Sequence, residues 1–155
     1  MIDVLVTSFD PKNVVELGPL RVLPTSAGVH LAVESEIGGK SASSAYGVMK
    51  NVVEDYLKLL IVQAEHRVMI FTSLPYAGEN EHVLNRVEVL RDLYSRASGV
   101  TTGMLLFHLA GSQPHSTQVQ VSVATGTIRG FVISPDGCVA EELVAEELPI
   151  EGSLT

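Results

Sequence analysis

The sequence has a single cysteine, Cys138, among 155 residues, and no apolar run is long enough to span a membrane. A lone thiol cannot form an internal disulfide, and a spanning helix needs roughly 18 to 20 consecutive apolar residues. Near the N-terminus stands Asp3, where a secretory signal would carry basic residues, so we expect a first strand there. These absences favour a cytoplasmic protein without membrane contact.

Basic residues are also scarce. Ten lysines and arginines face eighteen aspartates and glutamates, which gives a net charge of −8. Six of these acids and no base lie from Asp136 onward, so residues 1–135 carry a net charge of only −2. The balance argues against a general basic surface that grips nucleic acid, but it leaves the body of the chain near neutral.

Two familiar site patterns are missing. The five histidines lie at no spacing typical of a zinc site, and the one cysteine has no partner for such a site. Gly39-Lys40-Ser41 matches the end of a phosphate-binding P-loop, but the position of the first P-loop glycine holds Glu34. A carboxylate there would repel a phosphate, so an ordinary turn between a strand and a helix is expected.

Hydrophobic periodicity predicts an α/β fold. Apolar residues alternate or run continuously in the predicted strands and recur every three to four residues in two long helices. We predict one domain over residues 1–140, with a mixed central β-sheet flanked by two main helices, and an acidic C-terminal tail over 141–155 that is helical or loose. The expected elements are strands at 2–8, 29–37, 67–74, 104–109 and 117–124, extended pieces at 14–17 and 20–23, helices at 43–66 and 79–97, and a hairpin turn at Pro135-Asp136-Gly137.

The packing of the first helix can also be predicted. Its apolar stripe indicates that it packs on the sheet through four residues, one per turn: Val48, Val52, Tyr56 and Leu60.

The most informative stretch is Glu34-Ser35-Glu36, at the end of the apolar strand 29–37. Side chains alternate between the faces of a strand, so Glu34 and Glu36 project from the same face. Two like charges so close together need a cation, a basic side chain or a shared proton. A divalent metal ion is one such compensator.

A lysine side chain could also compensate the charges of the two glutamates. Asn51, Glu54, Asp55 and Lys58 form a polar stripe on the first helix. A solvated face with ion pairs along the helix is the ordinary interpretation. The alternative is that Lys58 or Lys50 reaches towards the glutamates, because a helix that leaves this strand packs across the same sheet.

A third acid depends on how the first two strands pair. If 2–8 and 29–37 pair antiparallel, the start of one lies against the end of the other, and Asp3 approaches both glutamates. If they run parallel instead, Asp10 or Glu16 becomes the competing third acid.

The order of these acids and elements resembles the PD-(D/E)XK restriction-endonuclease-like nucleases. The resemblance covers roughly residues 1 to 110 and rests on Asp3 in the first strand, Glu34-Ser35-Glu36 in the second, and the helix containing 54–60 followed by the strand segment 67–71. It implies a restriction-endonuclease-like core and a catalytic site formed by Asp3, Glu34 and Glu36. Glu36 stands where the family pattern has lysine, so Lys58, with Lys40 next, is the expected source of positive charge.

The resemblance implies a metal-dependent nuclease that hydrolyses phosphodiester bonds in nucleic acid. Asp3, Glu34 and Glu36 would be hard oxygen ligands for Mg²⁺ or Mn²⁺. The alternative is a catalytically inactive interaction or oligomerisation domain on the same scaffold, in which the glutamates are balanced by Lys40, Lys50 or Lys58. The two functions imply different partners: nucleic acid for the first, and for the second either a second copy of the chain, as in a homodimer, or another binding partner.

Overall fold

The fold was analysed in a computed structural model of the whole chain. The structure describes residues 1–9, 28–37, 45–72, 79–109, 128–138 and 140–143. These contain six strands and two helices in the order β1 (Val4–Thr7), β2 (Val29–Glu36), α1 (Ala45–Ile61), β3 (Ala64–Thr72), α2 (Glu79–Arg96), β4 (Met104–Leu109), β5 (Ile128–Ile133) and β6 (Ala140–Leu143). Within the described residues, neither helix is long and apolar enough to cross a membrane.

The six strands form one mixed sheet in which spatial order follows chain order. The pairs β2–β3 and β3–β4 are parallel, and the other three pairs are antiparallel. α1 and α2 supply the two crossovers that parallel neighbours require. The predicted mixed α/β sheet with two helices is confirmed.

One face of the sheet forms the core with both helices. Alternate strand residues such as Ala32, Met69 and Leu106 are fully buried there. Both helices contribute apolar residues spaced three or four apart, which places them on one stripe. The buried helix residues are Val48, Val52, Tyr56 and Leu59 on α1, and Val83, Val87, Leu90 and Tyr94 on α2.

The opposite face of the sheet is mainly aliphatic, and no described helix covers it. The strand register aligns a row of aliphatic side chains across five strands, and central members of the row are half-buried. Near the sheet edges the side chains are open to solvent, with Val6 44% and Ile128 46% exposed. We call this surface the open face; its central row is Val4, Val33, Val68, Leu105 and Val132.

The predicted boundary between the first helix and the third strand is wrong. The helix expected over 43–66 ends at Ile61, and β3 begins at Ala64 rather than at Arg67. The cause is the sheet: Ala64 is already paired with Val29 of β2, so the chain is extended from that point. The predicted packing of the helix through Val48, Val52 and Tyr56 is confirmed. The fourth core residue is Leu59, which is fully buried, whereas the predicted Leu60 is only partly buried.

The end of the sheet also differs from expectation. Residues 141–143 were expected to be helical or loose, but they belong to β6, which pairs antiparallel with β5. The predicted hairpin turn between these strands is present, and Gly137 has a left-handed φ of 70°. The strand predicted at 117–124, the extended pieces at 14–17 and 20–23, and residues 144–155 lie outside the described residues.

Candidate functional site

Glu34 is a carboxylate on the core face of the sheet. Because side chains alternate along β2, Glu34 shares its face with Ala32. In the neighbouring strand β3 it lies opposite Met69. It is only 1% exposed. Its Oε1 atom is buried and has no hydrogen-bond partner within the described part of the chain. A buried carboxylate oxygen without a donor is costly, so this atom needs an explanation.

Lys58 of α1 faces this carboxylate. Its Nζ lies 3.6 Å from Oε2 of Glu34 and 2.5 Å from Oδ1 of Asp55, one helical turn earlier. The lysine side chain is 40% exposed, whereas that of Asp55 is 19% exposed. Lys58 therefore contacts the buried carboxylate of Glu34 while its own side chain is partly exposed to solvent. This is the alternative interpretation of the polar stripe, in which a lysine of the helix reaches towards the glutamates.

Asp3 lies at the end of the same strand pair. β1 and β2 run antiparallel with Val4 opposite Val33, so Asp3, the residue just before β1, lies beside the end of β2. Oδ2 of Asp3 accepts hydrogen bonds from the backbone N–H of Ser35 at 2.7 Å and from its Oγ–H at 2.8 Å. The antiparallel arrangement, on which the choice of Asp3 as third acid depends, is confirmed.

The electrostatics of these groups are linked. Burial raises the pKa of Glu34, and the nearby charges of Asp3 and Asp55 add to this effect while Lys58 opposes it. The two hydrogen bonds from Ser35 lower the pKa of Asp3. The hydrogen bond to Asp55 raises the pKa of Lys58, which keeps the ammonium protonated. The site thus combines a carboxyl group that resists ionisation, an ionised carboxylate and a fixed positive charge.

The remaining predicted site residues are less closely placed. Glu36 ends β2 and is half-buried, on the same side of the strand as Glu34. Lys50 pairs with Glu54 at 3.4 Å on the exposed side of α1 instead of reaching the strand. Asp10, Glu16 and Lys40 lie outside the described residues.

A ready-made metal cage is not seen in the described part of the chain. Its histidine, cysteine, aspartate and glutamate side chains form no group of three or more arranged to hold a metal ion. The charge of Asp3 nevertheless helps to raise the pKa of Glu34, and the charge of Lys58 helps to lower the pKa of both carboxyl groups. The metal site predicted on Asp3, Glu34 and Glu36 stays a prediction.

Sequence reasoning missed two parts of this site. Asp55 was placed on a polar stripe, but its role as the closer partner of Lys58 was not foreseen; the signal was the i, i+3 spacing. Ser35 lies between two acids and is not marked as a site residue by any local pattern. Its hydrogen bonds to Asp3 depend on the pairing of β1 with β2, which no local pattern specifies.

Comparisons with known proteins add no relative: no family model matches the chain, and no curated protein or solved structure matches it either.

Proposed function

We propose that this chain hydrolyses phosphodiester bonds in nucleic acid with the help of Mg²⁺ or Mn²⁺, on a restriction-endonuclease-like scaffold. The observation that carries the proposal is the buried Oε1 of Glu34, which has no hydrogen-bond partner among the described residues, next to Lys58 and Asp3. Metal-dependent phosphodiester hydrolysis needs carboxylates to hold the metal and a positive charge near the phosphate. A carboxylate with one oxygen that lacks a described hydrogen-bond partner, close to a lysine and a second acid, provides these residue types.

The donors suit a hard divalent cation. Mg²⁺ usually keeps several waters and is bound by one or two carboxylates plus substrate phosphate, so a complete protein cage is not required. Asp3 and Glu34 are the two carboxylates, and Glu36 is the third candidate at the end of the same strand. When bound, the metal would polarise the phosphoryl oxygen and lower the pKa of a water molecule.

The side chains of the site have separate tasks in this proposal. Lys58 is held protonated by Asp55, so it supplies positive charge to the phosphate in the transition state rather than accepting a proton. Ser35 fixes the orientation of Asp3 through two hydrogen bonds to one oxygen. The second oxygen of Asp3 is left for the metal.

Cleavage of single- and double-stranded DNA and RNA in Mg²⁺ or Mn²⁺ tests the proposal. We expect Glu34→Ala to abolish metal-dependent cleavage and Lys58→Ala to slow it by one to several orders of magnitude. Lys50→Ala is the matched control, since Lys50 pairs with exposed Glu54 on the same helix. Absence of cleavage by the folded wild-type chain with every substrate and both metals would refute it.

A second candidate function rests on the open face. Its central row carries no charge, and its edge residues are exposed. Large apolar patches on a soluble protein mark interaction sites. We propose as the alternative that a second copy of the chain covers this face, because a two-fold dimer buries the same patch of both copies and an uncharged row brings no like charges together.

The oligomeric state tests this alternative. In sedimentation experiments we expect the wild-type chain to dimerise and the double variant Val6→Lys, Ile128→Lys to be monomeric. Both residues are partly exposed on the open face, so folding should survive the change. Leu84→Lys, on the exposed side of α2, is the control. A monomeric wild-type chain, or a dimer that the double variant leaves intact, would reject the alternative.

A further inference from the structure

A cleft of about 420 Å³ lies at the opposite end of the sheet from Glu34. It opens where β2 and β3 begin, since Val29 and Ala64 line it and are paired with each other. The segments that follow the two helices complete the wall, with Gln63 after α1 and Thr101 after α2. The volume is in the range of small-molecule sites.

A buried arginine lines this cleft. Arg67 is only 3% exposed, on the core side of β3. Its Nε–H donates to the carbonyl oxygen of Val62 at 3.0 Å, and its Nη1 donates to the carbonyl oxygen of Thr102 at 3.2 Å and to the Thr102 hydroxyl. In the described part of the chain, its Nη2 makes no hydrogen bond.

The charge of Arg67 is not neutralised by a described carboxylate. All of its acceptors are carbonyl and hydroxyl oxygens. Glu65 also lines the cleft, but its carboxylate contacts a different side chain, with Oε2 3.0 Å from Nδ1 of His30. A buried guanidinium is ordinarily matched by an anion, because removing a charge from water is expensive.

We infer that this cleft binds a small molecule through an oxyanion, a carboxylate or a phosphate, placed on Nη2 of Arg67. An arginine that is already fixed by three acceptors loses little side-chain entropy when an anion arrives. Gln63 provides a polar side chain in the wall of the cleft for a further oxygen of the ligand.

Arg67 also has a structural task. Val62 lies just past the end of α1, and its carbonyl belongs to the negative end of the helix dipole, so the arginine stabilises this end whether or not a ligand binds. A loss of binding in Arg67→Gln could therefore come either from the missing guanidinium or from a less stable fold. A variant at the edge of the cleft avoids this problem.

Thr101 offers such a variant, because it is exposed and lines the same cleft as the arginine. Inorganic phosphate and succinate would be titrated at constant ionic strength into the wild-type chain, Thr101→Glu and Thr101→Gln. The readouts are the calorimetric Kd and the NMR signal of the Arg67 Nε–H. We expect saturable binding to wild type and Thr101→Gln with a shift of this signal. The added negative charge should weaken binding about tenfold in Thr101→Glu.

The two anions distinguish phosphate from carboxylate ligands. Stronger binding of phosphate assigns the cleft to phosphorylated small molecules, and stronger binding of succinate assigns it to carboxylic acids. Failure of both anions to bind the wild-type chain, or equal affinity in Thr101→Glu and Thr101→Gln, would overturn the inference and leave Arg67 with its structural task alone. Neither result bears on the cleavage assay, since the Glu34 site lies at the other end of the strands.

Discussion

Nζ of Lys58 lies between two carboxylates of different burial, 3.6 Å from Oε2 of Glu34 and 2.5 Å from Oδ1 of Asp55. The shorter contact holds the lysine, and the longer one brings its charge to the carboxyl group of Glu34, which is 1% exposed. Desolvation and attraction therefore act against each other on Glu34. The pKa of Glu34 therefore reports on the balance between its burial and its attraction to Lys58.

Removing the lysine charge should raise the pKa of Glu34 further. In Lys58→Met the opposing attraction is lost while burial and the negative charge of Asp55 remain. The ¹³C chemical shift of the Glu34 carboxyl carbon, followed by NMR over pH, measures this directly. Lys50→Met is the control and should leave the titration unchanged. A lower or unaltered Glu34 pKa in Lys58→Met would show that the lysine does not act on this carboxylate.

The raised pKa of Glu34 also predicts how stability depends on pH. Between the unfolded pKa, near 4.5, and the higher folded value, the folded state keeps a proton that the unfolded state has lost. The contribution of Glu34 to the free energy of unfolding therefore falls as pH rises through this window. The difference in unfolding free energy between Glu34→Gln and wild type should grow with pH above 4.5, as measured by urea unfolding. A difference that stays flat or shrinks would contradict the assignment.

The core is tested by two neighbouring leucines of α1. Leu59 is fully buried, and Leu57 is 42% exposed on the other side of the helix. We expect Leu59→Ala to lower the free energy of unfolding by about 2 to 5 kcal/mol and Leu57→Ala to change it by less than about 0.5 kcal/mol. Denaturant unfolding of both variants is the measurement. Similar losses in the two would mean that the helix packs on a different face.

Gly99 and Gly137 both have a left-handed φ, but only at Gly137 would a side chain also collide with neighbouring atoms. Alanine substitutions at the two positions therefore distinguish the cost of backbone strain from that of a steric clash. A Cβ on Gly99, where φ is 80°, would meet no atom within 4 Å, whereas a Cβ on Gly137 would lie 2.8 Å from Cδ1 of Tyr94 and 2.9 Å from Cα of Ser95. Gly99→Ala should cost about 1 kcal/mol through φ alone. Gly137→Ala should cost clearly more, because backbone must also move. Thermal melts that rank the two variants in the reverse order would contradict the turn geometry.

The elements with strong periodicity were predictable from the sequence. α2 ends at Arg96, one residue before its expected end, and β4 has its expected bounds, because an amphipathic stripe and an apolar run are local signals. The start of β3 was not predictable, since Ala64 is extended only because Val29 lies beside it in the sheet.

The same contrast applies to the sites. The proximity of Glu34 and Lys58 was available from the sequence only as the alternative interpretation of the polar stripe, in which Lys58 or Lys50 reaches the strand. The burial of Arg67 could not be predicted from the sequence, because an arginine before Val68-Met69 is typical of the solvent-exposed start of a strand. Burial of a charged residue depends on what the rest of the chain places over it.

The central claim is that Asp3 and Glu34 share one divalent cation, and paramagnetic NMR with Mn²⁺ tests it most directly. At substoichiometric Mn²⁺ we expect selective broadening of the amide signals of Asp3, Glu34 and Ser35, while signals of β6, four strands and about 19 Å away, stay sharp. Asp3→Asn and Glu34→Gln should each abolish this selective broadening. Broadening centred elsewhere, or unchanged in both variants, would contradict the account.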